Sequence, residues 1–468
     1  MDLQITLKET ITVRPCERSN TQTVELSGLD RMSPAILYMV LFFKSKLKNK
    51  IDPVERAKRA LQKVLVQWYP AAGRFKFNES SGKLEIDCND EGVTMVVAFS
   101  ESKLEELGCL HEYKPCYEKL VPKHPEANDI WENPLVVVQV TKFACGGISI
   151  GIGGSHALFD GVGGFNFLAA WATTSNEKDD SDLVAPNHSR AALLRAIYSP
   201  NSSPKTSSIY EQEHVAAIQH LYGIPMQAIA SDDRCWETAL SKFGQIEPQG
   251  ELALITLSVQ EEVVERLKGL ATESGKLSKC FTFDILCAHV WKARMAALKL
   301  HPDTKICLQF PVDARSRFQP PLGKNFSGNA IVLASVSCLV KELLQEPLNY
   351  TIQRIHTAKG LMSDEYIKLY AKALESSDKF FPSMTELTIV SDWLKFPLHA
   401  LDFEWGRVSN ALLLATPVPE TAFLMRNLEE SGRLLIRIGI GRQYVPDLLR
   451  NFNDFNYTSS SRFSSTYN

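Results

Sequence analysis

The sequence has little of what marks several large functional classes. Its ten cysteines form no CxxC pair and no cysteine–histidine cluster with zinc-finger spacing, so no metal site is predicted. The formal charge is only −3, and the basic residues are spread along the chain, which argues against a nucleic-acid partner. The longest apolar run, Ile36 to Phe43, is far too short to span a membrane.

Targeting signals are equally scarce. Met1 to Thr6 carries charge and no long apolar segment, so no secretory signal is predicted. Ser465 to Asn468 is no peroxisomal address. Reduced thiols in the cytosol are the simplest interpretation, and we expect a cytoplasmic monomer.

The length of the chain predicts two domains, because 468 residues exceed one ordinary core. A charge run at 177–182, followed by a polar, proline-rich stretch, interrupts the hydrophobic pattern. We therefore expect an N-terminal domain at 1–185, a crossover at 186–222 and a C-terminal domain at 223–468. Residues near 380–410 are candidates to pack back on the N-terminal domain. One large domain with a long surface loop is the alternative.

Hydrophobic periodicity predicts interleaved strands and helices. Alternation over residues 3–14 predicts a strand, and an apolar stripe over 52–68 predicts a helix that ends at Tyr69-Pro70. Further strands are predicted at 83–87, 135–143, 148–152, 306–310 and 434–439, and further helices at 165–171, 260–271 and 281–298. Because strands and helices do not alternate strictly, we expect mixed sheets and not a doubly wound parallel sheet.

The most informative segment is Ser155-His156-Ala157-Leu158-Phe159-Asp160-Gly161, between a predicted strand and a predicted helix. A histidine there can act as a general base near neutral pH. Asp160-Gly161 is typical of a turn or helix cap. Gly154-Ser155-His156 lacks the GxSxG elbow of a serine nucleophile. An HxxxD pattern is common by chance, and a buried structural histidine is the alternative.

A second segment, Asp402-Phe403-Glu404-Trp405-Gly406, makes the HxxxD pattern more specific. In this order and at this separation, the two resemble the HxxxD and DFGWG signatures of the BAHD family, the acyl-CoA-dependent acyltransferases of plant specialised metabolism. Four further stretches match family patterns: Tyr69 to Arg74, Pro311 to Arg317, Gly328-Asn329, and Ser391-Asp392-Trp393. The resemblance covers residues 3 to 450.

The resemblance implies both a fold and a reaction. The fold is α/β, with two similar-sized domains of mixed sheet and helices, like chloramphenicol acetyltransferase, and an active-site channel between them. The reaction transfers an acyl group from acyl-CoA to a hydroxyl or amine of a plant metabolite. Transfer is direct, through a ternary complex, with His156 as general base. Acyl-CoA is a co-substrate, and no bound cofactor, metal, nucleic acid or membrane partner is implied.

The resemblance also implies roles for other residues. A structural role falls on Asp160, Gly161, Asp402, Trp405 and Gly406. Asp160 is expected to pair with an arginine, either Arg294 or Arg315.

Candidates for the pocket or for oxyanion support are Trp393, Ser391 and Phe159. For Trp393 and Ser391, ordinary packing is an equal alternative. Because CoA carries phosphates, it needs cationic or N–H contacts. The candidates for these contacts, each of which could instead be a solvated surface residue, are Arg315, Arg317, Lys324 and Arg407.

Two features leave alternatives open. Glu404 replaces a glycine of DFGWG, which puts the loop backbone in question, because glycine reaches positive φ where glutamate does so at a cost. A non-catalytic metabolite-binding or interaction protein is therefore the alternative function.

The run from Gly151 to Gly154 leads into the HxxxD segment and not into a helix, so we interpret it as room for substrate. Carnitine acyltransferases, chloramphenicol acetyltransferases and condensation domains share HxxxDG, but condensation domains usually carry a histidine at the position of Ser155.

Overall fold

The computed structural model describes residues 3–19, 23–31, 36–44, 52–122, 132–176, 185–198, 226–228, 252–273, 275, 277–375, 380–382, 385–414 and 421–454. The chain forms two compact units. Unit 1 comprises Met1–Ala196, Pro321–Ala330 and Phe396–Pro417; unit 2 comprises Ile197–Pro320, Ile331–Lys395 and Val418–Asn468. Residues 199–222 of the predicted crossover lie outside the described residues, so its boundaries stay a prediction.

The described strands are β1 (Thr6–Val13), β2 (Thr23–Glu25), β3 (Ile36–Phe43), β4 (Arg74–Asn78), β5 (Lys83–Asp87), β6 (Val93–Ser100), β7 (Val136–Phe143), β8 (Ile148–Ser155), β9 (Met226–Ala228), β10 (Leu252–Gln260), β11 (Lys305–Asp313), β12 (Ile331–Leu339), β13 (Phe380–Pro382), β14 (Leu387–Asp392), β15 (Asp402–Phe403), β16 (Gly406–Arg407), β17 (Asn410–Leu413), β18 (Ala422–Arg426) and β19 (Arg433–Gly441). The described α-helices are α1 (Gly28–Arg31), α2 (Pro53–Gln67), α3 (Gly161–Ser175), α4 (Ala191–Tyr198), α5 (Glu261–Glu273), α6 (Thr282–Leu298), α7 (Val340–Gln345), α8 (Leu348–Gly360), α9 (Asp364–Glu375) and α10 (Val445–Asn453).

Unit 1 is built on a six-stranded mixed sheet in the order β1-β6-β7-β8-β3-β17. Only the β6–β7 pair is parallel within this sheet, and the other neighbours are antiparallel. The valine-rich β7 is buried along nearly its whole length, as its sequence predicts. Helices α2 and α3 pack together, and Trp171 of α3 donates its indole N–H to the Ala57 carbonyl at 2.9 Å.

Unit 2 holds a second six-stranded mixed sheet in the order β10-β19-β18-β14-β11-β12. Strand β14 is parallel to both β11 and β18, while the remaining pairs are antiparallel. Helix α6 is buried on nearly every side, and the side chains of Asp284, His289, Lys292 and Arg294 are buried with its apolar ones. Both sheets are mixed, as the irregular alternation of predicted strands and helices indicated.

The predicted elements are present, and their bounds differ by a few residues. Helix α2 ends at Gln67, before the short 3-10 turn Tyr69–Ala72, where the Tyr69-Pro70 pair stops the helix. Helix α3 is longer than the predicted 165–171, because Asp160 caps it at residue 161. Over the described ranges, no helix combines the length and hydropathy that a membrane span requires.

Candidate functional site

The HxxxD run connects the end of β8 to the start of α3, so His156 and Asp160 lie between these two elements. The Asp160 carboxylate caps α3, because its Oδ1 accepts the backbone N–H groups of Val162 and Gly163, each at 3.1 Å. Its Oδ2 accepts the N–H of Ala330 at 3.1 Å. The predicted cap is therefore present, and it also ties the helix start to the second chain segment of unit 1.

Both arginines considered as partners of Asp160 belong to unit 2. Arg294 donates from Nη1 to the hydroxyl of Thr388 at 3.2 Å. Arg315 donates from Nη1 to the carboxylate of Asp313 at 3.2 Å. The pairing of Asp160 with an arginine stays a prediction.

His156 sits in a partly enclosed position. Of its two ring nitrogens, Nδ1 is the one buried without a hydrogen-bond partner among the described residues. Burial lowers the pKa of His156 below its ordinary value of 6.5. Asp160, its own backbone carbonyl, the Asn329 amide and Asp30 oppose that shift without reversing it. The imidazole is therefore neutral at pH 7, the form that can accept a proton.

His188, in the same unit, shows how a structural histidine differs. Its Nε2 donates to the Gln67 carbonyl at 2.8 Å, so Nδ1 is left to accept the Ser327 hydroxyl at 2.7 Å. Burial lowers the pKa of His188 to about 4. Both nitrogens of His188 are thus used in holding the fold, whereas Nδ1 of His156 has no hydrogen-bond partner among the described residues.

A buried charged cluster lies beside the HxxxD connection, and the sequence analysis missed most of it. We call Asp30, Arg190 and Asn329 the Asp30 cluster. Asp30 is fully buried and Arg190 is 3% exposed, and they form an ion pair with Nε–Oδ2 at 3.3 Å. Burial raises the pKa of Asp30, but Arg190, Asn329 and Ser27 outweigh burial and hold that pKa below its ordinary value.

The signal for this cluster in the sequence is weak. Asn329 was noticed only as part of the Gly328-Asn329 match, and Asp30 and Arg190 belong to no recognised motif. Arg190 even falls within the predicted crossover. Only the fold brings the three together, because 160 residues separate Asp30 from Arg190 and 299 separate it from Asn329.

The prediction that Gly151 to Gly154 leaves room for substrate is wrong for two of its glycines. Both glycines lie inside β8. A Cβ on Gly151 would lie 1.9 Å from the Leu120 carbonyl oxygen, and one on Gly153 would lie 2.5 Å from the Tyr38 ring. The missing side chains make space for neighbouring protein groups and not for a ligand.

Phe159, a pocket candidate, is half-buried in an aromatic group of unit 1. Its ring stacks on Phe167 with centroids 5.8 Å apart and meets the Trp68 ring edge-on at 6.2 Å. Phe159 therefore packs against other aromatic rings of unit 1, and its role in lining a pocket stays a prediction.

The DFEWG segment packs against the end of α3 opposite the HxxxD connection. The Glu404 backbone N–H donates to the Ser175 hydroxyl at 3.2 Å, and Asn176 donates its amide to the Asp402 carbonyl. Phe403 and Trp405 stack with centroids 4.9 Å apart inside the aromatic core. One helix thus joins the two sequence signatures, which supports the structural role expected for DFEWG.

The concern about Glu404 is resolved by the backbone. Glu404 is absent from the non-glycine residues with positive φ, whereas Gly406 in the same loop has φ 137°. The glycine of this segment that needs its conformational freedom is therefore the one that is retained. The Glu404 side chain pairs with Arg56 of α2, with Nη2–Oε1 at 3.1 Å, so the substitution adds a contact within unit 1.

We expect the Arg56–Glu404 pair to stabilise the protein without affecting catalysis. Because both side chains are about one-fifth exposed, 17% and 22%, solvent screens the pair only in part. A double-mutant cycle with Arg56→Met and Glu404→Gln should give a coupling energy of about 1 kcal/mol in urea unfolding. All three variants should keep wild-type kcat. A tenfold loss of kcat in Glu404→Gln would show that the segment does more than support the fold.

The other pocket candidates belong to unit 2. Ser391 lies in β14, in register with Phe423 of β18, and it is half-buried. Trp393 follows that strand, with its backbone N–H bonded to the Leu424 carbonyl at 2.9 Å. Their roles in a pocket or in oxyanion support stay predictions.

The four CoA candidates divide between the units. Arg315 is buried and pairs with Asp313, so it is the least available of the four to bind a phosphate. Arg317 in unit 2 is exposed and donates to the Met362 carbonyl at 3.1 Å. Lys324 and Arg407 in unit 1 are also exposed. CoA binding by these residues stays a prediction.

One group of possible metal ligands forms in unit 1, from Cys109, His111 and Glu112. Their ligand atoms lie within 4.8 Å of one another, with the histidine buried and the other two residues exposed. All three come from a single turn of the chain. The expectation that the protein uses no metal stays a prediction.

Comparison with known proteins identifies the family. The model of the Transferase family matches residues 3–425. Brassinosteroid-related acyltransferase 1 of Arabidopsis thaliana is 37% identical over 438 residues, which cover 92% of this chain and 93% of that protein. This chain belongs to the BAHD acyltransferase family. Omega-hydroxypalmitate O-feruloyl transferase of Arabidopsis thaliana is 30% identical, covering 94% of this chain and 90% of its own length.

As a BAHD member, the protein is an acyl-CoA-dependent acyltransferase, and acyl-CoA is its co-substrate. Solved structures agree on the fold. The crystal structure of vinorine synthase has a TM-score of 0.72 at 20% identity and covers 98% of this chain and 99% of its own. F. graminearum TRI101 complexed with coenzyme A and T-2 mycotoxin has a TM-score of 0.70 at 15% identity, covering 92% and 97%. The predicted fold of two mixed-sheet domains with helices is confirmed.

Proposed function

We propose that this BAHD enzyme transfers an acyl group from acyl-CoA to a hydroxyl of a largely apolar plant metabolite, with His156 as the general base. The observation that carries the proposal is the place of His156 on a connection held by hydrogen bonds at both ends, and burial, which lowers the pKa of His156, supports it. An alcohol is a weak nucleophile at its own pKa, so its attack on a thioester needs a base at this kind of position.

The reaction that we propose is direct. His156 takes the hydroxyl proton as the acceptor oxygen bonds to the thioester carbon, and the carbonyl electron pair moves onto oxygen. The tetrahedral intermediate then re-forms its C=O bond and breaks the C–S bond. His156 returns the proton to the leaving sulfur, which releases an ester and free CoA. We assign the proton transfer to Nε2, because burial of Nδ1 removes that nitrogen from contact with a substrate.

The names of relatives support a hydroxyl group as the acceptor. Two relatives are named for hydroxyl acceptors: Omega-hydroxypalmitate O-feruloyl transferase and, at 31% identity, Fatty alcohol:caffeoyl-CoA acyltransferase of Arabidopsis thaliana. Amines are the second candidate, because Anthranilate N-benzoyltransferase protein 1 of Dianthus caryophyllus is 27% identical. We further propose that the enzyme works as a cytoplasmic monomer.

The pH dependence of the reaction should follow the lowered pKa of His156. A general base is active when unprotonated, so kcat/KM should rise with pH through the pKa of the free enzyme and then level off. Because burial lowers that pKa below 6.5, the midpoint of the rise should lie below pH 6.5. The check is kcat/KM for one acyl-CoA and one alcohol across the pH range in which the protein stays folded. A midpoint above pH 7 would mean that the titrating group is another residue, or that the pKa of His156 is not lowered.

The proposed function is tested by a product screen. Purified protein receives acetyl-, benzoyl-, caffeoyl-, feruloyl- and palmitoyl-CoA, each with pooled fatty alcohols, ω-hydroxy fatty acids, sterols and aromatic amines. Products are read by mass spectrometry, and CoA release by thiol titration. We expect an ester whose formation needs the protein and matches the CoA released. Amides alone would contradict O-acylation, and ligand binding without any product would favour the non-catalytic alternative.

A further inference from the structure

The Asp30 cluster touches the HxxxD connection at two backbone positions. Asn329 donates its Nδ2–H to the carbonyl of His156 at 2.7 Å. Arg190 donates from Nη2 to the carbonyl of Leu158 at 3.1 Å. No step of the reaction proposed above uses the side chain of Asp30, Arg190 or Asn329.

The cluster is internally complete, which is required of buried charge. Asp30 accepts hydrogen bonds from the backbone and hydroxyl of Ser27, at 3.0 and 2.7 Å, and from the backbone and amide of Asn329, at 2.9 and 3.0 Å. Two bonds from Arg190, both at 3.3 Å, complete the set. A buried ion pair is a poor way to gain stability, because desolvation cancels much of the attraction. What such an arrangement does provide is a fixed geometry.

From these contacts we propose that the Asp30 cluster is a positioning device for the catalytic base: Asp30 and Arg190 orient Asn329 and the Leu158 carbonyl, which together fix His156. The inference rests on the proposed role of His156. Asp30 and Arg190 would act through Asn329 and the backbone, without touching substrate. They are therefore positioning residues.

The chemistry of Asn329 suits this task closely. Its single amide nitrogen has two hydrogens, and it donates to both Asp30 and the His156 carbonyl. An ionised aspartate at position 329 has no hydrogen to donate, so it could bond neither the Asp30 carboxylate nor the His156 carbonyl. The neighbouring Gly328 is required as well, because a Cβ there would lie 2.7 Å from the guanidinium carbon of Arg190.

The cluster also affects the charge state of the base. Two carboxylates, Asp160 and Asp30, act on the charge of the His156 ring, and Arg190 is paired with Asp30. Asp160, Asp30 and the Asn329 amide favour the protonated ring and so limit the fall in the pKa of His156. Removing Asn329 should therefore lower that pKa further, which a role confined to stability would not do.

The test compares Asn329→Ala with Asn325→Ala. Asn325 is a matched control, because it lies on the same segment and also donates one amide hydrogen bond to a carbonyl, that of Ala185 at 3.0 Å. Steady-state rates use the acyl-CoA and alcohol identified in the product screen. A second readout needs no substrate: the pH dependence of His156 carbethoxylation by diethyl pyrocarbonate, followed by peptide mass spectrometry.

We expect Asn329→Ala to lower kcat roughly 10- to 100-fold, as a small misplacement of a catalytic group does, with little change in KM for acyl-CoA. The carbethoxylation midpoint of His156 should move to lower pH. Asn325→Ala should match wild type in both readouts. Wild-type kcat and an unmoved midpoint in Asn329→Ala would overturn the proposal.

A second variant tests Asp30 and Arg190 without leaving a lone buried charge. The double change Asp30→Asn with Arg190→Met keeps the interior neutral, so it should fold, as thermal unfolding would verify. We expect a loss of kcat similar to that of Asn329→Ala. A folded double variant with wild-type kcat would show that Asp30 and Arg190 do not position the catalytic base. If His156→Ala itself kept full turnover, the proposed function would be wrong. If His156→Ala lost turnover but the cluster variants kept it, only the positioning proposal would be wrong.

Discussion

Replacing His156 by alanine should lower kcat by about 10²–10⁴-fold, the contribution that a positioned general base makes. The reason is that the alanine variant has no group at this place to take the acceptor proton as the alcohol attacks. KM for acyl-CoA should change little, because the base acts on the transition state and not on the bound thioester. The measurement is steady-state ester formation together with CoA release.

The matched control for this change is His301→Ala. His301 is 75% exposed, so its loss removes a histidine without disturbing the site. That variant should retain wild-type kcat. If His156→Ala kept more than about one-tenth of wild-type kcat, general-base catalysis by this residue would be wrong, because even a weak base contributes about 100-fold.

Replacing Asp160 by alanine should lower the free energy of unfolding by roughly 2–4 kcal/mol. The loss has two sources, both visible in the contacts of the carboxylate. The cap of α3 disappears at Val162 and Gly163, and the buried N–H of Ala330 loses its acceptor. Urea unfolding measures the change. A loss of kcat should accompany it, because the connection that carries His156 is no longer tied at this end.

Two comparison variants separate these sources. Asp52→Ala removes the N-cap of α2, whose carboxylate accepts the Val54 N–H at 3.0 Å and is about half exposed, so it should cost about 1 kcal/mol. Asp160→Asn keeps an acceptor for the cap but places an amide N–H₂ against the N–H of Ala330. It should therefore fall between wild type and Asp160→Ala. Equal stability of Asp160→Ala and wild type would contradict the structural role of Asp160.

Local features of this chain could be predicted from sequence because their causes are local. The valine run gives β7, the Tyr69-Pro70 pair ends α2, and Asp160-Gly161 starts α3. The HxxxD run could likewise be placed between a strand and a helix. Each of these depends on residues within one or two turns of one another.

Features that depend on distant residues could not be predicted. The Asp30 cluster joins three side chains from three separate parts of the chain, and none of them has a local pattern. Arg56 and Glu404 are 348 positions apart, so nothing in the sequence pairs them. Residues near 380–410 are predicted to pack on the N-terminal domain, but the pairing of β17 with β3 in that unit is equally non-local and has no local signal.

The glycines of β8 show a different limit of sequence reasoning. A glycine indicates that something approaches the backbone closely, but the sequence does not say what. At Gly151 the neighbour is the Leu120 carbonyl, and at Gly153 it is the Tyr38 ring. The interpretation as substrate space is therefore wrong for these two glycines.

The most direct test of His156 as the base compares two pH profiles, wild type and His156→Ala, with the same acyl-CoA and alcohol. Wild-type kcat/KM should rise to a plateau through an apparent pKa below 6.5, the ordinary value for histidine. The residual activity of His156→Ala should lack that rise, because the titrating group has been removed. If the variant shows the same acid limb as wild type, another residue is the base, and the mechanism proposed for this enzyme is wrong.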